Sequence, residues 1–187
     1  MSLTVYLEES NNFEYFICNL PENDEKKLCV TNKTVKNKAF KNADFIENIF
    51  FENCELIEES VFDNCKELKN VIWRKKTSQK EAKAKKNIKI FGIELLTLDK
   101  IVIQHEAFKN CTKMQTLILP ISKEISIEKD SFKGCSSLRT VVACSDKIHV
   151  TDNPFEDCPE DLVFICYEAS GIERFARENG YRWINVQ

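Results

Sequence analysis

The chain reads as a repeat solenoid, a short right-handed array of coils built from short parallel β-strands and tight or 3₁₀ turns. Three observations predict this. Phe40, Phe62, Phe108, Phe132 and Phe155 recur at separations of 22, 46, 24 and 23 residues, so one unit is about 23 residues and the long interval holds a degenerate or replaced copy. Three residues after each Phe stands Ala43, Cys65, Cys111, Cys135 or Cys158. Apolar residues then alternate with period two on both sides of each Phe, the signature of strands with one buried face. A unit this short cannot close a core alone and must stack on its neighbours.

Residues 1–34 come first and are expected to form an N-terminal β cap. Strand-like runs lie at 5–7, 13–20 and 28–30, with a turn at Pro21, Glu22, Asn23 and Asp24. A piece of about 30 residues rarely folds alone, which favours a cap over a separate domain.

The array spans 35–166. Five residues before each Phe stand Val35, Ile57, Ile103, Ile127 and Val150, and Ile101, Ile125 and Ile148 stand seven before the last three, giving a first strand. The Phe and the small residue follow, and then Ile46, Leu68, Met114 and Leu138 three further on; in the last unit Asp161, beside Leu162, breaks the pattern. Spacings of three and three suit a tight inward-facing turn. Nine after Phe come Ile49, Val71, Leu117, Val141 and Phe164, and eleven after come Phe51, Trp73, Leu119, Ala143 and Cys166, one face of a second strand. Two ladders of parallel strands would sandwich the Phe and Cys columns.

The run Ala107-Phe108, Cys111, Met114 and Leu117-Ile118-Leu119-Pro120 resembles the BspA type of leucine-rich repeat. The resemblance runs from about 35 to 166. It is tightest over 107–120 and 130–142 and loosest where Ala43 replaces Cys and around 159–162. It implies a leucine-rich-repeat solenoid that mediates protein contacts, often at microbial surfaces, with no shared catalytic residue set.

The 46-residue interval between Phe62 and Phe108 carries a basic insertion at 74–89. Arg74, Lys75, Lys76, Lys80, Lys83, Lys85, Lys86 and Lys89 stand there against Glu81 alone, a local charge of +7 in a chain of net −3. Charged runs are usually solvated loops or exposed helix faces. The alternative is a patch for nucleic acid or an anionic membrane, although it lacks interleaved aromatics for base stacking.

Residues 167–187 are predicted as a C-terminal helix-strand cap. Ser170 and Glu173 have capping-box spacing, Ile172, Phe175 and Ala176 share a helical face, Gly180 is a helix stop, and a strand at 181–186 follows. The same element closes the repeat arrays this chain resembles. An uncovered solenoid end would expose apolar side chains and a strand edge.

Composition sets the outer bounds. With 187 residues and 43% hydrophobic content the chain can build one elongated core. Four Gly and four Pro argue against disorder. The first 20 residues carry Glu8, Glu9 and Glu14 with no Lys or Arg, unlike a secretory leader, so the chain as given reads as cytoplasmic. The family resemblance implies a cell-surface or secreted setting if the chain is trimmed. Nine cysteines, an odd count with four in one column, read as buried thiols kept reduced, with a Cys18–Cys29 link left open.

There is no Cys-x-x-Cys, no glycine-rich phosphate loop, and only His105 and His149 as imidazoles. A Cys144–His149 nucleophile pair is the one constellation worth testing, and surface histidines without a role far outnumber catalytic ones. No enzyme activity and no cofactor is expected.

Function is expected on the strand face. If positions nine and eleven point inward, positions eight and ten point out: Asn48, Asn70, Thr116, Thr140 and Val163 beside Phe50, Ile72, Ile118, Val142 and Ile165. An exposed aliphatic row flanked by amides and hydroxyls suits a protein or peptide partner. The competing reading is that these residues have β propensity and are covered by a cap, an insertion or another protomer. The exposed reading carries a stability corollary: truncating Phe108 would cost far more than truncating Ile118.

Overall fold

The computed structural model describes residues 3–4, 26–74, 88–90, 93–145 and 147–186. The predicted runs at 5–7 and 13–20 lie outside them. The strands, in chain order, are β1 Leu3–Thr4, β2 Lys27–Val30, β3 Thr34–Val35, β4 Asn48–Phe51, β5 Leu56–Ile57, β6 Asn70–Trp73, β7 Ile88–Ile90 and β8 Ile93–Glu94. They continue with β9 Thr97–Ile103, β10 Thr116–Ile118, β11 Ile121–Ile127, β12 Thr140–Ala143, β13 Ile148–Val150 and β14 Val163–Cys166. Helix α1, Gly171–Glu178, and β15, Arg182–Asn185, close the order.

Two parallel sheets run the length of the array. The larger has the order β15-β14-β12-β10-β6-β4-β2 and the other β13-β11-β9-β5-β3. Register repeats coil by coil: Asn48 pairs with Asn70, Asn70 with Thr116, Thr116 with Thr140, and Thr140 with Val163. The solenoid and its C-terminal helix-strand cap follow the sequence pattern.

One correction concerns the 46-residue interval. It holds no degenerate coil among the described residues, because β6 pairs directly with β10 and β5 directly with β9. The Phe62 and Phe108 rings stack at 5.1 Å, as close as true neighbours. Strands β7 and β8, which lie within that interval, join β1 in a separate three-stranded sheet.

Between the sheets lies the aromatic spine. Phe40, Phe62, Phe108, Phe132 and Phe155 stack in series with centroids 5.3, 5.1, 5.3 and 5.2 Å apart and planes within 11° of parallel. Each such pair contributes about 0.5–1.5 kcal/mol beyond burial. Phe62, Phe108, Phe132 and Phe155 are fully buried, as are Cys65, Cys111 and Cys135 beside them.

The predicted 3₁₀ character is only partial. Bonds from i+3 to i close at Cys65 to Phe62, Cys111 to Phe108 and Cys135 to Phe132, yet each segment is a succession of single turns. The cause is a left-handed residue two after each Phe: Asn42, Asn64, Asn110, Gly134 and Asp157 have φ between 56° and 72°. Asn and Asp tolerate that conformation better than other side chains, and Gly adopts it freely. It turns their N–H groups toward the next coil, where Asn64 donates to Lys109 O and Asn110 to Lys133 O, both at 2.8 Å. A helix would satisfy those donors internally and break the stack.

The cap forms as its residues dictate. Ser170 Oγ accepts from the Glu173 N–H at 3.2 Å, and Ile172, Phe175 and Ala176 are buried. Gly180 N–H donates to Arg177 O and Tyr181 N–H to Ala176 O, a Schellman closure that needs the left-handed Gly180 at φ 75°. Gly171 is required for another reason: a Cβ there would lie 1.8 Å from the Ile148 carbonyl oxygen, so only glycine lets α1 seat against β13. Strand β15 then pairs with β14 and extends the larger sheet.

Candidate functional site

The larger sheet has two faces, and both are dry. Its inner face joins the Phe spine through Ile49, Val71, Leu117, Val141 and Phe164. The outer face carries the sequence-predicted stripe, and the ladder brings its members into two rows. Phe50, Ile72, Ile118, Val142 and Ile165 sit side by side on β4, β6, β10, β12 and β14. The polar row Asn48, Asn70, Thr116, Thr140 and Val163 runs beside them, with Asn70 Nδ2 donating to Asn48 Oδ1 at 2.7 Å.

The expectation of exposure fails. Ile72, Ile118 and Val142 have no accessible surface, Ile165 is 1% exposed, Phe50 3%, and the polar row lies at 3–7%. The stripe faces away from the spine but forms a second apolar cluster with Leu95, Cys144 and Val186, against which Ile121 and Tyr167 pack. Alternation along a strand assigns a side chain to a face; whether that face meets water depends on what else the chain lays over it.

Arg74 belongs to this face as well. Its guanidinium lies 3.9 Å from the Phe50 ring centroid, in place of the predicted solvated arm, while Lys27 approaches the same ring at 5.2 Å. Lys89 lies in β7, paired with Glu94 of β8. Lys75, Lys76, Lys80, Lys83, Lys85 and Lys86 lie outside the described residues.

Elsewhere on the surface, cations of one coil meet carboxylates of the next. Glu47 is bracketed by Lys26 and Lys69 at 2.7 Å each, and Lys33–Glu55, Lys36–Glu58, Lys41–Asp63 and Lys113–Glu67 repeat the arrangement. The two lysines hold the Glu47 carboxyl down at about 2 by hydrogen bonding. The exposed large apolar residue among those described is Phe45, 71% accessible beside the first coil. Nothing in the repeat pattern marks it, because the same position in later coils is Glu67, Lys113, Ser137 and Glu160.

The cysteine and histidine candidates are placed as follows. Cys144 is fully buried in the outer cluster, and burial pushes its thiol up to about 12, which removes the thiolate a nucleophile needs. His149 is exposed on β13. His105 Nδ1 lies 2.9 Å from Lys129 O, beside the turn that follows β9. Cys29, Cys54, Cys65, Cys111, Cys135, Cys144, Cys158 and Cys166 are free thiols. Among the described residues no cluster of three or more His, Cys, Asp or Glu could hold a metal, and no helix is long and apolar enough to cross a membrane.

Stacked coils, a phenylalanine spine and a thiol column have a counterpart in known families. The model of the BspA type leucine rich repeat region matches residues 33–160 in six copies. The chain belongs to the BspA-type leucine-rich repeat family. Leucine-rich-repeat arrays are scaffolds that commonly mediate protein interaction and are generally non-enzymatic. No curated protein and no solved structure matches this member.

Proposed function

We propose that the chain is a non-enzymatic protein-binding module that uses the outer face of the larger sheet, whose apolar row is covered in this arrangement and must be uncovered for a partner to reach it. The observation that carries this reading is the continuous apolar row Phe50, Ile72, Ile118, Val142 and Ile165, set by ladder register on five adjacent strands and flanked by amides and hydroxyls. The frame is fixed before any partner arrives, so little ordering entropy opposes association. The test compares affinity capture by the intact chain and by Ile118→Thr, with melting followed on both. Loss of the same partner at a temperature where the variant remains folded supports the strand face. Unchanged capture removes it.

A second reading has its own observation. Body cations such as Lys26, Lys33, Lys36, Lys41 and Lys113 are engaged by carboxylates of neighbouring coils, and the run at 74–89 concentrates a charge of +7 in an otherwise acidic chain. In this reading that run tethers the protein to nucleic acid or anionic membrane. Binding that falls steeply with salt and disappears on Lys→Gln changes at 75, 76, 80, 83, 85 and 86 would select it.

A further inference from the structure

Helix α1 meets strand β13 where Gly171 lies against the Ile148 carbonyl, a contact that leaves no room for a Cβ. Beyond that contact the helix carries Arg174, Phe175 and Glu178, and the strand carries His149 and Val150 and runs on to Asp152. Between the two lies a cleft of about 340 Å³. That volume stands at the lower end of the range for ligand sites. The cleft shares no residue with the outer apolar cluster of the larger sheet.

One wall of the cleft is a strand edge. Strand β13 is the last in the order of the smaller sheet. Ile125 N–H donates to Lys147 O and Thr151 N–H to Ile127 O, so residues 147, 149 and 151 turn their backbone groups toward β11. Ile148 and Val150 therefore turn theirs the other way. Gly171 covers the Ile148 carbonyl, while the Val150 N–H and C=O make no bond to α1. An unpaired donor and acceptor on a strand edge are completed by another extended backbone. The charges of the walls are ordered too. The first charged or titratable groups past the contact are the exposed Arg174 and His149, and the next are the exposed Glu178 and Asp152. Arg177 pairs with Glu173 at 3.8 Å, whereas Arg174 pairs with no carboxylate among the described residues.

We infer that this cleft captures the carboxyl end of a partner polypeptide. The terminal carboxylate sits on Arg174, the last peptide groups pair with Val150, and a basic residue upstream faces Glu178 and Asp152. A chain end fits better than an internal segment because the contact of Gly171 with Ile148 closes the cleft on one side, so an added strand cannot run on along β13. The site is independent of the strand-face reading and stands or falls without it.

Magnetic resonance of the isotope-labelled full chain tests it, with a degenerate hexapeptide pool that carries Lys three residues before a free carboxyl end. The pool should shift the Val150 and Arg174 amides saturably at about 1 mM or below and slow exchange of the Val150 amide. The same pool amidated at its carboxyl end should bind at least about tenfold more weakly, as should the free-acid pool on Arg174→Ala. Arg174 is exposed, so that variant should melt with the wild type; Arg182→Ala, exposed and outside the cleft, should keep wild-type affinity. Equal affinity for acid and amide overturns the inference. So does the absence of any shift at about 1 mM, or unchanged binding in Arg174→Ala. Shifts that sodium acetate reproduces at the same concentration overturn it as well, because they mark a bare anion site. The acid–amide comparison needs no variant and decides the matter even where Arg174→Ala melts early.

Discussion

The Cys111 thiol donates to the carbonyl oxygen of Phe62, one coil back, at 3.2 Å. The contact recurs down the column: Cys65 donates to Phe40 O at 3.1 Å, Cys135 to Phe108 O at 3.3 Å and Cys158 to Phe132 O at 3.3 Å. The thiol is therefore more than a small hydrophobe. It fills the space beside the spine and gives each turn carbonyl a donor from the following coil.

Cys111→Ala should preserve the fold at a cost of about 1–2 kcal/mol, the sum of a weak donor and a small cavity. The first coil already carries Ala43 in that column, and Phe62 O keeps the Cys65 N–H. Urea denaturation monitored by circular dichroism measures the change.

Truncation should be expensive on both faces of the larger sheet. Phe108→Ala removes a ring stacked between Phe62 and Phe132 and is expected to cost about 3–5 kcal/mol. Ile118→Ala, foreseen as mild if its row were exposed, is expected to cost about 2–4 kcal/mol because the side chain is fully buried. A loss below about 1 kcal/mol at Ile118 would mean that the outer cluster is open in solution.

Acid should weaken the inter-coil ladder. Lys26 and Lys69 hold the Glu47 carboxyl at about 2 against an ordinary value of 4.5. Glu58, Asp99, Glu106, Glu124 and Glu156 are lowered in the same direction, each chiefly by a hydrogen bond from a lysine. A carboxylate with a depressed folded value stabilises fully above its unfolded value, and the contribution fades as pH falls through the folded one. The melting temperature should therefore drop from about pH 5 toward pH 2. The gap between wild type and Glu47→Gln should be largest near pH 7, shrink in 0.5 M salt, and close at about pH 2.

Two glycines of the cap should fail differently. Gly171→Ala drives a Cβ into the Ile148 carbonyl, so α1 must move off β13, at a cost of about 1–3 kcal/mol, with faster amide exchange in both elements. Gly180→Ala meets no atom within 4 Å and should cost about 1 kcal/mol through its left-handed backbone alone, with β13 exchange unchanged.

Much of this architecture is local in origin and was legible as such. The Phe column, the thiol column and the flanking alternation each follow from a side chain's position within its own 23-residue unit, so spacing alone predicts that they stack. The cap is equally local, because Ser170, Glu173 and Gly180 act within one helix. The left-handed positions could have been found from Asn42, Asn64, Asn110, Gly134 and Asp157, a column of Asn, Gly and Asp two residues past each Phe.

Which residues share a face could be read from the repeat, because strand alternation and register are properties of the nearest neighbours along and across the chain. That neither face of the larger sheet meets water follows from long-range packing. The outer row Phe50, Ile72, Ile118, Val142 and Ile165 is buried with Leu95, a residue outside the repeat pattern that bridges to Arg74 at the end of β6. Burial depends on packing between segments that no periodicity relates, and for that reason the same alternation that places Phe108 in a dry spine cannot say whether Ile118 meets solvent or another part of its own chain.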